Sequence, residues 1–360
     1  MEPSHILALG VFGFYFIIIL ALFGLIIPSF QVKGLHTSSS KGKAILFVFL
    51  TAASFTHTWF YMFKYMFWSF KNYEASLAFT TGTPLERVSN WLVDTSLFEE
   101  AWAAVCFGRV NWWWSEQLCL FTVGGWTVFL ATEGRRSRVK HLWAYMLLGQ
   151  VVAISVASNL FYLALVLSRP SSPSASSTPT LARPKLWISV LISLATIAAS
   201  PFTSERTFLP NLLVMHAVLV VPLVASASVT SQKKISSRFS LRVSTLYLIV
   251  FVASAAMRLR TIKATLGSLP SQDYSPYGLF SVAWDVLHAH PAQSSIGWDV
   301  VWTSLSFIAW VSTRPSDSTQ ASKVVEIPYL LLATPFASVG VTAPYILRPR
   351  GELSADAKDE

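Results

Sequence analysis

The chain has 360 residues, 53% of them hydrophobic and 12% charged, with a mean hydropathy of +0.52, which excludes an ordinary soluble domain, where about 25% of residues are charged. Its formal charge of +9 sits in short Lys/Arg clusters between apolar runs, a pattern that orients a protein in a lipid bilayer and argues against a nucleic-acid partner. Two cysteines, Cys106 and Cys119, lie outside any CxxC and supply neither a disulfide framework nor a zinc site.

The run 6–29 is long enough to cross about 30 Å of hydrocarbon and lacks a basic leader or a small-residue cleavage site, so it reads as a retained first helix. Further spanning runs follow at 44–70, 112–132, 141–168, 185–202, 207–229, 240–257, 296–313 and 327–347. The expected fold is all-α, a polytopic transmembrane bundle of eight or nine helices. Residues 169–184, rich in Ser, Thr and Pro, have a linker's composition. They divide an N-terminal helical half, 1–168, from a C-terminal half, 185–347, which is followed by a polar tail at 348–360. The first half holds most of the acids at membrane depth and the densest aromatics; the second reads as scaffold.

With the N-terminus outside the cytoplasm, Lys33, Lys41, Lys43, Arg135, Arg136, Arg138, Lys140, Arg258, Arg260, Lys263, Arg348 and Arg350 all fall inside, as the positive-inside rule asks. The loop carrying Lys233, Lys234, Arg238 and Arg242 disagrees.

Three glutamates and four tryptophans crowd the stretch from Thr95 to Gln117. Within 91–109, Asp94, Glu99, Glu100 and Arg109 would each cost roughly 2.5 to 3.5 kcal/mol at a bilayer centre, more than the apolar residues around them return. This piece should not span alone; it lies at the interface or packs inside the bundle. Glu116 lies near one end of a run that can span.

For Glu99, Glu100 and Glu116 the plain reading is a solvated face, a cap or a pairing with Arg109 or Lys64. The sharper reading is that at least one of these carboxyls, surrounded by apolar side chains, keeps its proton near neutral pH and serves as a general acid. Asp299 is placed at the start of a late helix, where stabilisation by the positive end of the dipole comes first and pocket chemistry second. On a helix His57, Tyr61, Tyr65 and Trp68 share one face, able to wall a pocket or simply to pack the bundle. Trp102 and Trp113 join them as candidate substrate-binding residues. Lys64 snorkels or pairs with an acid. Asp285, His288 and His290 have a spacing that suggests a metal site, but they precede a proline in what reads as a loop and lack further ligands, so neither a metal nor a cofactor is expected. There is no G-x-S-x-G, P-loop, G-x-G-x-x-G or HExxH.

A protonated carboxyl facing an apolar chamber can protonate an alkene or an epoxide oxygen, and aromatic faces stabilise the resulting cation by roughly 0.5 to 2 kcal/mol per contact. A second carboxylate would take the final proton. The stretches WLVDTSLFEEAW, WWWSEQLCLFTVGGW, FLATEGRRSRVKHLWAYMLLGQVVAISVASNLF and SSIGWDVVWTSLSFIAW resemble the membrane-bound terpene cyclases of fungal meroterpenoid pathways, of the ascofuranone and macrophorin type, over about residues 60–310. The resemblance implies metal-independent cyclisation of a lipophilic, farnesyl-derived terpenoid substrate, started by protonating a terminal epoxide or olefin. A multi-pass protein of the endoplasmic reticulum is the expected setting. The absence of an Asp-rich DDxxD sequence agrees, since cyclases that ionise a diphosphate need clustered carboxylates to hold Mg²⁺. Two other classes compete: a proton-coupled transporter of a hydrophobic metabolite, since intramembrane acids mark proton paths, and a non-catalytic membrane partner. Against the transporter, the two halves show no corresponding pair of Gly/Pro-broken helices.

Overall fold

The computed structural model describes residues 2–31, 38–77, 82–168, 181–224, 239–314 and 320–349. Lys33, Lys233, Lys234, Arg238, Arg350, residues 169–180 of the linker and the tail from 350 onward lie outside the described residues.

The fold is all-α. Among the described residues it has fourteen helices of nine residues or more, and a three-residue link, where the sequence leads one to expect eight or nine. Among the described residues five segments are long and apolar enough to cross a membrane: Pro3–Ser29, Ser38–Ser76, Pro184–Phe202, Arg206–Val224 and Val243–Leu266. The first contains α1 (Pro3–Ile26), in which only Ile19, Leu22 and Ile26 are buried, while Leu7, Phe14 and Leu20 are exposed. A helix apolar on every face, with most of that surface outward, suits a hydrocarbon solvent.

Beyond α2 (Ser38–Ser76) the chain forms two short helices, α3 (Pro84–Thr95) and α4 (Leu97–Cys106), separated by Ser96 at φ 49°. Thr83 and Glu86 close a reciprocal capping box at the start of α3. The backbone N–H and hydroxyl of Thr83 hold the Glu86 carboxyl below its ordinary range. The acid-rich piece thus makes two short packed helices and not a span. Next comes one continuous helical stretch over 109–136, composed of α5 (Arg109–Leu120), a π turn (Phe121–Trp126), the three-residue link α6 (Thr127–Phe129) and a second π turn (Leu130–Gly134).

The run 141–168, one span by length and composition, is two antiparallel helices. Between α7 (Leu142–Val151) and α8 (Ile154–Leu167), Tyr145 packs on Phe161 with ring centroids 5.6 Å apart, and a Cβ on Gly149 would lie 3.4 Å from Ala157 Cβ. The hairpin tip, at Val152 and Ala153, is inside the bundle. The end of α8 (Ala164, Ser168) lines a small crevice with Val139 and Lys140, from the turn that precedes α7. The chain therefore leaves the hairpin at the end where it entered.

The second half begins with α9 (Pro184–Ala199), α10 (Glu205–Val224) and α11 (Val243–Leu266). A two-residue ribbon pairs β1 (Leu181–Ala182) with β2 (Leu241–Arg242), bringing the start of α9 beside the start of α11. The helix α12 (Pro276–Ala289) then turns directly into α13 (Pro291–Thr313), which runs antiparallel to α2: His290 packs on Trp68, Ser295 donates to Thr58 O and Trp302 donates to His57. Last come α14 (Gln320–Ala337) and α15 (Val339–Leu347). The run 327–347 also folds back on itself, with Thr334 and Thr342 hydroxyls 3.0 Å apart and Tyr329 on Tyr345 at 5.1 Å. The reversal is at Ser338, φ 82°. Close packing at its tip requires Gly340, where a Cβ would lie 2.9 Å from Phe121 N.

These two hairpins change the expected topology. Because α7–α8 returns to its starting end, Arg183 and Arg242 lie at the same end as Arg135, and the loop that disagrees with the positive-inside rule in a nine-span count ends on the basic side. Conversely, Arg258, Arg260 and Lys263 lie toward the opposite end, where α11 finishes beside the end of α9.

Candidate functional site

After a partly exposed first turn, α5 is wholly inside the protein from Trp112 through Leu118. Glu116 is 0% exposed. Its Oε1 accepts a hydrogen bond of 2.7 Å from Thr261 Oγ1. Its Oε2 lies 3.7 Å from Arg258 Nη1, beyond hydrogen-bond length. The pairing is therefore with Arg258 on α11 and not with Arg109 or Lys64. Arg258, equally buried, donates from Nη1 to Trp113 O at 2.8 Å and from Nε to Phe336 O at 3.4 Å, and its guanidinium lies 4.3 Å from the centre of the Trp113 ring. Phe336 is the penultimate residue of α14. Arg258 thus sets a positive charge against the negative end of a helix that stops inside the bundle, as well as facing Glu116.

Thr261 also lines a cavity of about 560 Å³, within the roughly 300 to 1,000 Å³ range of small-molecule sites. Phe107, Trp112, Phe202 and Phe208 supply aromatic wall, and Arg109 and Arg260 supply charge. The cavity lies where the α4–α5 junction meets the ends of α9 and α11 and the start of α10. Its outer part is marked by the exposed rings of Phe107 and Phe202.

Glu100 forms a second centre. Its Oε2 accepts from Ser69 Oγ at 2.6 Å and Tyr65 Oη at 2.9 Å, and Trp91 Nε1 donates to Ser69 Oγ at 3.0 Å. Tyr65 Oη is also 2.7 Å from Leu97 O, at the start of α4. Trp68 meets the His290 ring edge-on at 4.4 Å. The expected aromatic face of α2 is present, and part of it packs against other helices: His57 accepts from Trp302 Nε1 and lies 4.4 Å from Trp298 on α13, while Tyr61 carries Lys64 of its own helix over its ring at 5.8 Å. None of His57, Tyr61, Tyr65 and Trp68 lines the large cavity.

The remaining candidates separate by contact. Glu99 is exposed. Trp102 stacks on His216 at 6.4 Å, and Trp113 lies beneath Arg258; neither lines the cavity, where Trp112 stands instead. Asp299 lies well inside α13 and not at its start. Its Oδ2 accepts from Ile154 N at 2.9 Å and its Oδ1 from Ser155 N at 2.8 Å, so it caps α8, a different helix, at the hairpin tip. The carbonyl at the end of α7, Val151 O, accepts from Tyr15 Oη at 2.7 Å. Asp285 and His288 belong to α12, not to a loop, and His290 caps α13 by accepting from Ala292 N.

Comparisons with protein-family models, curated proteins and solved structures gave no match.

Arg258, Arg260 and Thr261 are missed when the arginines are assigned to a basic loop. A signal was present: Leu259, Ile262, Ala264 and Leu266 continue the apolar pattern, and no Gly or Pro interrupts it before Gly267, so both arginines fall within a helix and at least one turn before its end.

Proposed function

We propose that this chain is an integral-membrane terpene cyclase that starts ring closure of a lipophilic, farnesyl-derived polyene by proton donation. The observation that carries the proposal is the buried carboxyl of Glu116, joined by one hydrogen bond to a hydroxyl, Thr261, that lines an aromatic cavity. In this reading Glu116 holds the initiating proton. When substrate is bound the 2.7 Å contact is used in the opposite sense: the Thr261 hydroxyl turns to give its proton to an epoxide oxygen or terminal alkene and its Oγ1 accepts the proton of Glu116. The cation that forms is attacked by an internal double bond, and loss of a proton to the Thr261–Glu116 pair ends the sequence, so the product is an isomer of the substrate. Trp112 and Phe208 offer ring faces to the cation, and the burial of these rings and of Thr261 limits water at the inner end of the cavity. Arg258, held by Trp113 O and Phe336 O, fixes the back of the carboxyl and does not reach the cavity. The basic end that holds Arg135, Arg138, Arg183 and Arg242 is the cytoplasmic one in this reading, and the endoplasmic reticulum the membrane.

Microsomes containing this protein alone, given a farnesylated epoxide without nucleotide, should return a cyclic compound of unchanged mass. Recovery of the unaltered epoxide would count against the proposal.

A specific observation favours a second reading. Each half of the chain ends in a hairpin whose tip is inside the bundle, α7–α8 and α14–α15, and paired broken helices are where transporters build substrate sites. These hairpins weaken the objection to a transporter drawn from the sequence. Yet the tip of α7–α8 is filled by Asp299 and that of α14–α15 by close packing at Gly340, and the cavity adjoins neither reversal. Uptake of the epoxide into sealed vesicles, without conversion, would favour this alternative.

A further inference from the structure

The cavity beside Thr261 carries two cations. Arg109 and Arg260 line it, and among the described residues no Asp or Glu does. Arg260 donates from Nη1 to Ala198 O at 3.0 Å and packs its guanidinium 5.6 Å from the Phe202 ring centre. Its Nη2 is buried and has no hydrogen-bond partner among the described residues. Arg109 donates from Nη1 to Ala264 O at 3.3 Å and is otherwise exposed at the cavity's edge. An aromatic chamber needs no cations to hold a hydrocarbon, and a buried guanidinium N–H without an acceptor is costly unless something binds there.

We infer that the cavity takes an amphiphile with an oxyanion head, its phosphate or carboxylate oxygens on Arg109 and Arg260 and its hydrocarbon tail along Trp112, Phe107 and Phe208. Planar guanidinium groups suit such a head better than a neutral hydroxyl does. This rests on the cavity being the substrate chamber, and it adds what orients the substrate: the anchored head decides which part of the chain reaches Thr261. The exposed Phe107 and Phe202 rings stand where an amphiphile would arrive from the membrane interface.

The full-length protein, purified into phosphatidylcholine nanodiscs, is titrated with radiolabelled farnesyl monophosphate and with farnesol, and inorganic phosphate is added as a competitor. Farnesyl monophosphate should bind at least about tenfold more tightly than farnesol, as a charge-assisted pairing requires, and inorganic phosphate should displace it poorly. Arg260→Gln and Arg109→Gln should each lower that preference by at least about threefold while farnesol binding persists; Arg260→Lys, which keeps the charge, should retain part of it. Equal affinity for the two probes would overturn the inference, as would an unchanged preference in both glutamine variants. Displacement by inorganic phosphate as effective as by unlabelled farnesyl monophosphate would also overturn it, since the tail would then contribute nothing. Discs doped with phosphatidic acid distinguish the source of the head: binding that survives there supports a substrate-like amphiphile, and binding abolished there means that a membrane lipid holds the anion site, which overturns its role in orienting the substrate. Binding is read without turnover, so an inactive cyclase and an absent anion site are separate results.

Discussion

Asp299→Ala is expected to loosen the α7–α8 hairpin. The substitution leaves Ile154 N and Ser155 N, now bonded at 2.9 and 2.8 Å, without acceptors at a buried helix start. Each unsatisfied donor costs about 1–3 kcal/mol, and losing the negative charge at a helix N-terminus costs a further ~0.3–2 kcal/mol. Part of this is offset because a carboxylate need no longer be buried. The net destabilisation should be about 3–5 kcal/mol, in the range seen when one partner of a buried charged interaction is removed. Asp299→Asn retains one acceptor and should lose about 1–2 kcal/mol. Equilibrium unfolding in mixed micelles gives the magnitude, and amide exchange at Ile154, Ser155 and their neighbours gives the location. An alanine variant within about 0.5 kcal/mol of wild type, with unchanged exchange at Ile154 and Ser155, would refute the capping role.

Arg258→Met should destabilise the protein by about 2–4 kcal/mol, because Trp113 O and Phe336 O would lose their buried charged donor; the double variant with Glu116→Gln should recover little of that loss in the same unfolding assay, since a protonated Glu116 needs no counter-charge. Gly340→Ala places a Cβ 2.6 Å from Leu120 Cβ and 2.9 Å from Phe121 N, so a shift of backbone should cost about 1–3 kcal/mol, again read by unfolding. In a background without Cys106 and Cys119, the single substitutions Lys140→Cys and Arg183→Cys should react with an impermeant thiol reagent from the same side of sealed vesicles. Labelling from opposite sides would restore the single span.

The helical class and the long spans were legible because an apolar run of about 20 residues has few alternatives. The hairpins were not, and the reasons differ. The reversal of α7–α8 has no Gly or Pro at Val152 and Ala153; it is stabilised by Tyr15 on α1 and Asp299 on α13, groups remote in sequence. The one local hint was length, since 141–168 exceeds what a single crossing needs. In 327–347 the prolines at 328, 335 and 344 did advertise a break. Among the acids, burial cost pointed at three glutamates, of which Glu116 is interior and Glu99 exposed; the partners of Glu116 come from α11 and could not be read along the chain. Position along the run put Asp299 at the start of its own helix, whereas it caps a different helix end that only the folded bundle reveals. For the aromatics, periodicity found the shared face on α2 but had no means of saying that α13 packs on His57 and that α4 accepts the buried Tyr65 hydroxyl.

Whether the buried Glu116 carboxyl starts a cyclisation is decided by conversion of a farnesylated epoxide by purified wild type, Glu116→Gln and Thr261→Val, with folding of each variant checked by its thermal transition. Wild type should form the isomeric ring product, Glu116→Gln should form none, and Thr261→Val should be slowed by about 100-fold or more, the lower range of a lost general acid–base contribution. Full conversion by a folded Glu116→Gln protein would contradict the role given to this carboxyl.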